Sequence, residues 1–237
     1  MRLVIRSWNV FHGNADPPRR KGFLRRMVEL ASADRPDVLC LQEIPVWALP
    51  RIDNWSGMRS FGAVTRAPLW LGPVSTWVTR AHQGLFRSGL AGQANAILVA
   101  SQHEASDLGH EKISADGRER RLVQAVRLDR ARVVVGNLHA SNEFRDPSVP
   151  RDEVDRARAF VESGAQPADV IVLAGDFNLR WPVLDGYSRA GEGIDHVLVR
   201  GASAEVAVPW ARERRTTDGV VLSDHPPVDC VVEVDAR

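Results

Sequence analysis

The segment VIVLAGDFNLRW, residues 170 to 181, runs through apolar side chains and arrives at Asp176 and Asn178. An uninterrupted apolar run is the pattern of a strand buried on both faces. Its end is where the backbone leaves the sheet and polar side chains can gather. The pattern recurs: LVIRSWN ends on Asn9, DVLCLQE ends on Glu43, and VVVGNLHAS delivers Asn137 and His139. Two further strands are entered from polar residues, GEGIDHVLV from Asp195 and His196 and LSDHPPVDCVVEV from Asp224 and His225. In a mixed sheet, the end of one strand and the start of an antiparallel neighbour share an edge, so all these groups can meet on one rim. Carboxylates, amides and imidazoles on a rigid rim orient water, move protons and hold hard divalent ions. Singly, an Asp or Asn after a strand is a turn former, and SDHPP is a solvated turn. The joint pattern is what points to a site.

Such a rim needs strands to carry it. Strands are expected at Leu3–Trp8, Val38–Gln42, Asn95–Ala100, Leu122–Leu128, Arg132–Leu138, Val170–Ala174, His196–Val199, Glu205–Val208 and Val228–Val234. RLVQAVRL and ARVVVGNLHA read as a tight hairpin across Asp129-Arg130. Two helices are expected. From Arg20 to Ala33, Phe23, Leu24, Met27, Val28, Leu30 and Ala31 recur at helical spacing, and Pro36 ends the helix. From Pro150 to Glu162, the stripe is Val154, Ala157, Phe160 and Val161, with Pro150 suited to a first turn. Residues 47 to 92 are rich in Gly, Pro and Trp and predict short strands and long loops. No repeat or linker interrupts the chain, so residues 1–237 read as a single α/β domain.

Composition bounds the function classes. The 31 basic and 30 acidic side chains leave a formal charge of +1, which lacks the strongly basic footprint of many nucleic-acid binders. Cys40 and Cys230 sit in isolation within strand-like runs and read as small buried hydrophobes, which argues against a disulfide framework or a zinc site. The N-terminal apolar run contains Arg6 and is too short for a signal peptide. No stretch approaches the roughly 20 apolar residues of a membrane helix, so the expected location is cytoplasmic.

The ordered set WN, LQE, NLH, GDFN, IDH and SDH, spanning residues 8 to 225, resembles the endonuclease/exonuclease/phosphatase superfamily of deoxyribonuclease I-like and exonuclease III-like enzymes. The resemblance implies a four-layered α-β-β-α sandwich of two mixed sheets with its site at one end. It also implies Mg²⁺-dependent phosphoester hydrolysis, with Mn²⁺ an alternative. Glu43 would anchor the metal, with Asn9 beside it, directly or through water, and Asp224 binding metal or fixing the site. Asp176 would orient or deprotonate the attacking water, and Asn178 would hold that water or the phosphate. His225, partnered by Asp195, would contact the scissile phosphate. His139 would face the phosphate or leaving group, and Arg121 matches a family arginine that contacts phosphate. Phe11 stands where some members carry an acidic residue, which favours one metal. His139 has no carboxylate partner identifiable from sequence. His12 reads as a loop residue, and His196 should face away from Asp195.

These motifs prepare a phosphate and say nothing of what it is attached to. A phosphodiester in DNA or RNA is the leading expectation, supported by the arginine-bearing loops ADPPRRK and RERR and by Trp47, Trp55, Trp70 and Trp77 as stacking surfaces. A phosphatase or phosphodiesterase acting on a small molecule or lipid headgroup is the alternative. An inactive binding module on the same scaffold is a third reading, and the intact acid, amide and histidine set argues against it.

Overall fold

Side-chain alternation along the strands decides how this chain layers itself. The computed structural model of the protein describes residues 1–19, 21–68, 91–143 and 145–234. Trp70 and Trp77 lie outside them. The first sheet has the order β11 (Ser203–Ala204), β15 (Val228–Glu233), β1 (Arg2–Asn9), β3 (Val38–Ile44), β5 (Gln93–Val99) and β4 (Arg59–Arg66), with β12 (Val208–Pro209) also on β15. The second sheet has the order β10 (Asp195–Arg200), β9 (Val170–Asp176), β8 (Val133–His139), β7 (Leu122–Leu128) and β6 (Ala105–Lys112). Both are mixed: β1 runs parallel to β3 and antiparallel to β15, and β8 runs parallel to β9 and antiparallel to β7. A small third sheet joins β2 (Ala15–Asp16), β14 (Val220–Leu222) and β13 (Thr216–Thr217).

Three apolar clusters separate four layers. Inward-facing residues of both sheets interdigitate, among them Leu3, Ile5, Val38, Cys40, Ile97, Val135, Val172, Val197 and Cys230. The outer face of the first sheet buries Leu39, Leu41 and Leu98 against α1 (Leu24–Ser32) and α2 (Leu49–Ser56). The outer face of the second buries Val134, Leu138, Ile171 and Leu173 against α3 (Ser148–Ser163). Alternate residues of one strand thus serve different cores, which is why these strands read as continuous apolar runs. Each fully buried Leu, Ile or Val side chain contributes about 1.5–3 kcal/mol relative to exposure. The result is the deoxyribonuclease I-like α-β-β-α sandwich, and both cysteines are free and buried.

Several expectations need correction. The first helix begins at Leu24 rather than Arg20. Of the strand expected over Glu205–Val208, only Val208 lies in one, β12, while β11 ends before the segment at Ala204; both pair with β15. The hairpin loop spans residues 129–132, because Leu128 pairs with Val133. A two-residue turn wants positive φ at both central positions, a geometry Asn-Gly adopts easily and Asp-Arg does not. No helix among the described residues is long and apolar enough to cross a membrane.

Candidate active site

The face of each strand that lines the space between the sheets changes character toward one end. On β1 it reads Leu3, Ile5, Ser7, Asn9; on β8, Val133, Val135, Asn137, His139; on β9, Val170, Val172, Ala174, Asp176. The apolar core therefore gives way to a layer of buried hydroxyl and amide groups, and then to the charged rim. Gln42 on β3 bridges the sheets in that middle layer, its Nε2 donating to Asn137 Oδ1 at 2.8 Å and to Ser7 Oγ at 3.1 Å. Asn137 in turn donates to the carbonyls of Leu41 and Ala96, both at 3.0 Å.

Glu43 breaks the alternation. Val38, Cys40 and Gln42 face inward, so the next residue should face the helices. The β3–β5 register shifts between Leu41 and Ile44, and Glu43 adopts φ 56°. This bulge turns Glu43 toward the rim, as β-bulges commonly re-aim a side chain. Ile44 then resumes packing under the helices.

Asn9 sits between the carboxylates. Its Nδ2 donates to Asp176 Oδ2 at 3.0 Å and to Glu43 Oε1 at 3.3 Å, while its Oδ1 accepts the Phe11 N–H at 3.0 Å. That last bond fixes which way the amide points. Burial raises the Glu43 pKa, partly opposed by the Asn9 bond. Burial also raises the Asp176 pKa, with the Asp195 carboxylate adding to it, against the His225 charge and the bonds from Asn9 and Asn178. Among the described residues no arginine or lysine forms an ion pair with Glu43 or Asp176.

His225 Nδ1 lies 2.8 Å from Asp195 Oδ2 and 3.9 Å from Asp176 Oδ2. Burial alone would lower its pKa, but the bond to Asp195 and the charges of Asp195, Asp176 and Asp224 outweigh burial and raise it to about 10. His225 is therefore an imidazolium at neutral pH. Asp176, Asp195 and His225 cluster closely enough to hold an ion, and here His225 Nδ1 is engaged by Asp195. Trp8 Nε1 donates to the His225 carbonyl at 2.9 Å. Asp224 is exposed beside it.

His139 is neutral: burial lowers its pKa well below the ordinary value, and the charges of Arg121, His225 and His12 lower it further. Gln93 Nε2 lies 3.3 Å from His139 Nδ1. Donation there leaves the ring proton on Nε2, which lies 3.5 Å from Asp176 Oδ2 and 3.9 Å from Glu43 Oε1. These are the carboxylate neighbours the sequence did not reveal. Arg121 Nη1 is 3.3 Å from both ring nitrogens, and its Nη2 is 3.1 Å from Glu119. Asn178 donates its amide to the Ala140 carbonyl at 2.9 Å, and its N–H bonds Asp176 Oδ1 at 3.0 Å. His196 points away, its Nε2 donating to the Leu179 carbonyl at 2.7 Å and its ring meeting the Phe177 ring edge-on.

Besides Gln93, His12 and Ser223 were not anticipated at the rim. His12 is no loop bystander: it is buried, with Nε2 3.3 Å from Glu43 Oε2. Ser223 Oγ donates to the Asn9 carbonyl at 2.7 Å and accepts the His225 N–H at 3.1 Å, tying the two motifs together. Backbone strain gathers here too. Phe11, His12, Glu43, Asn178 and Ser223 all have φ between 48° and 61°, a region that costs a non-glycine residue about 1–3 kcal/mol. Left-handed turns of such residues have no plain sequence signature, which is why His12 reads as loop. Trp47 and Trp55 pack edge-on against each other and against the helix-side core, which leaves them only partly exposed.

A sequence model of the Endonuclease/Exonuclease/phosphatase family matches residues 7–225. TDP2 from Caenorhabditis elegans superposes with a TM-score of 0.66 at 16% identity, over 98% of this chain and 74% of that one. An endonuclease/exonuclease/phosphatase from Beutenbergia cavernae DSM 12333 gives 0.68 at 17%, over 98% and 72%. The mannosyl-6-phosphatase of Bacteroides thetaiotaomicron VPI-5482 gives 0.64 at 16%, over 99% and 100%. No curated protein matches the sequence. At these identities the structural likeness speaks for the fold, and the family match takes in every rim residue from Asn9 to His225. The chain belongs to the Endonuclease/Exonuclease/phosphatase family of phosphoester hydrolases.

Proposed function

We propose that the protein is a divalent-metal-dependent phosphodiesterase acting on nucleic acid. The observation that carries the reading is two carboxylates, buried Asp176 and partly buried Glu43, sharing one amide donor beside an imidazolium. Carboxylates with no arginine or lysine paired to them among the described residues suit a hard cation, and Mg²⁺ or Mn²⁺ prefers such oxygen donors and keeps several waters. Glu43 would anchor the ion, with Asp224 assisting from the exposed side. Asn9 would hold the carboxylates and sit beside the ion, directly or through water, its Oδ1 accepting the Phe11 N–H with one of two lone pairs. The ion would neutralise phosphate charge that otherwise repels a nucleophile.

The remaining roles fall to the chain itself. Asp176 orients the attacking water and accepts its proton, and Asn178 fixes the Asp176 carboxylate through its backbone N–H. His225, held charged by Asp195, donates to a non-bridging phosphate oxygen. Arg121 adds a second positive charge, and neutral His139 offers its Nε2–H toward the leaving oxygen. Preorganised donors of this kind supply much of an enzyme's rate enhancement.

A monoesterase is the second reading, favoured by the formal charge of only +1 and by the full-length likeness to a mannosyl-6-phosphatase. Bis(p-nitrophenyl) phosphate and p-nitrophenyl phosphate separate the two. Each is incubated with Mg²⁺, Mn²⁺ or EDTA beside an Asp176→Asn control. Metal-dependent diester cleavage, lost in the control, is the expected result. Cleavage of the monoester alone would overturn the diesterase reading, and equal rates in EDTA would overturn metal dependence.

A further inference from the structure

Two segments leave the rim from paired strand ends, since His139 lies opposite Asp176 in the β8–β9 register. One leads into α3. The other runs through Asn178 to Leu184. Together they wall a cavity of about 420 Å³, with Arg151, Val154 and Asp155 on the α3 side and residues Leu179 through Leu184 on the other. A volume of that order suits a small ligand, typically about 300–1,000 Å³.

Its lining is unusual for a solvated loop. Trp181 is 69% exposed and Val183 92%. Among the other described tryptophans, Trp8 and Trp210 are buried, and Trp47 and Trp55 are partly buried against each other. Trp181 alone among the described tryptophans is largely exposed, and it lies three residues beyond Asn178. Its Cα therefore lies within about 11 Å of the Asn178 Cα, the reach of three extended residues. Arg151 and Arg180 are exposed at the same cavity, and neither has a carboxylate partner among the described residues. Asp155 is engaged by Arg158 at 3.6 Å.

We propose that this cavity is a nucleobase subsite, in which the base adjoining the scissile phosphate stacks on Trp181 while Arg151 and Arg180 face the flanking phosphate. A planar ring joined to an anion is the chemistry that uses an indole face and unpaired guanidinium groups together. The inference rests on the phosphodiesterase reading and assigns that reading's substrate selectivity to residues outside the charged rim.

The test compares two diesters with the same leaving group, the p-nitrophenyl ester of thymidine 5′-monophosphate and methyl p-nitrophenyl phosphate. The wild type should favour the thymidine ester in kcat/KM. Trp181→Ala should reduce that preference about 10-fold, within the range of base–aromatic stacking, through KM rather than kcat. Trp181→Phe should restore most of it. An unchanged preference in Trp181→Ala would overturn the proposal. Trp181 is exposed, so its loss leaves the fold intact. If neither ester is cleaved, the phosphodiesterase reading fails by itself, and stacking is read instead from quenching of tryptophan fluorescence by thymidine monophosphate. Quenching that disappears in Trp181→Ala supports the subsite, and identical quenching in both proteins overturns it.

Discussion

The Asn9 amide donates to Asp176 at 3.0 Å and to Glu43 at 3.3 Å, joining a carboxylate of one sheet to a carboxylate of the other. Both acids already have raised pKa values because burial disfavours their charge. Asn9→Ala removes a donor shared by two anions, each such bond being worth about 1.5–3 kcal/mol. Phosphodiesterase activity at neutral pH should fall roughly 10- to 100-fold, since 1.4 kcal/mol is a factor of about 10. The acid limb of the pH–rate profile should move to higher pH. A limb that stays in place would show that Asn9 does not hold these carboxylates ionised.

The His225–Asp195 pair gives a pH prediction with a definite sign. The folded pKa of His225, about 10, lies above its unfolded value of roughly 6.5. The stability it contributes is thus complete below about 6.5 and is lost as pH rises through about 10. In Asp195→Asn, burial regains weight and the His225 pKa should fall by about 1–3 pH units, read from histidine ring NMR. The stability gap between wild type and variant should narrow as pH approaches 10. A gap that widens with pH would contradict the pairing.

Glu43 is expected to anchor the metal, so metal should stabilise the fold through it. At a free Mg²⁺ concentration of about 100 times Kd, linkage gives roughly 2.7 kcal/mol. Thermal unfolding should shift upward on adding Mg²⁺ and return on adding EDTA. In Glu43→Gln the shift should be lost. Because the Glu43 carboxylate must be ionised to bind metal and burial raises its pKa, affinity by calorimetry should weaken as pH falls. A full shift in Glu43→Gln would place the ion elsewhere.

Gly175 precedes Asp176 with φ 140°, and a Cβ built on it would stand 1.9 Å from the Leu138 carbonyl oxygen. The contact is with backbone of the adjacent parallel strand and cannot be relieved by a rotamer change. Gly175→Ala should destabilise the protein by at least about 3 kcal/mol in urea unfolding. A loss below about 1 kcal/mol would mean that β8 and β9 separate easily at this point.

The strands that carry the rim were legible because they are buried on both faces, so β9 and β8 read as unbroken apolar runs in the sequence. The edge strands β4 and β6 were not. On Arg59–Arg66 burial alternates through Phe61, Ala63 and Thr65, but Phe61 alone of these is large and apolar and Val64 falls on the other face, and Ala105–Lys112 has no buried residue, so neither stands out as an apolar run. The same contrast holds at the site. Asn9, Asp176 and Asp195 extend the alternation of their strands and could be counted forward from the core. Glu43 reaches the rim through a bulge and His12 through a left-handed turn, and such backbone irregularities are set by packing around them rather than by local residue type. The exposed tryptophan was misplaced for a related reason: Trp47 and Trp55 look loop-borne in sequence, but α2 and its neighbours half-bury them.

The Gln42–Asn137 bridge has a temporal consequence. Asn9 and Glu43 belong to one sheet, and His139, Asp176 and Asp195 to the other. Neither sheet alone assembles a working centre, because Asp176 takes its Asn9 donor and Asp195 its His225 partner from across the gap. His225 arrives only with β15, which closes onto β1. A chain caught with one sheet formed is chemically silent, and the appearance of turnover during refolding would serve as a clock for the docking of the two sheets.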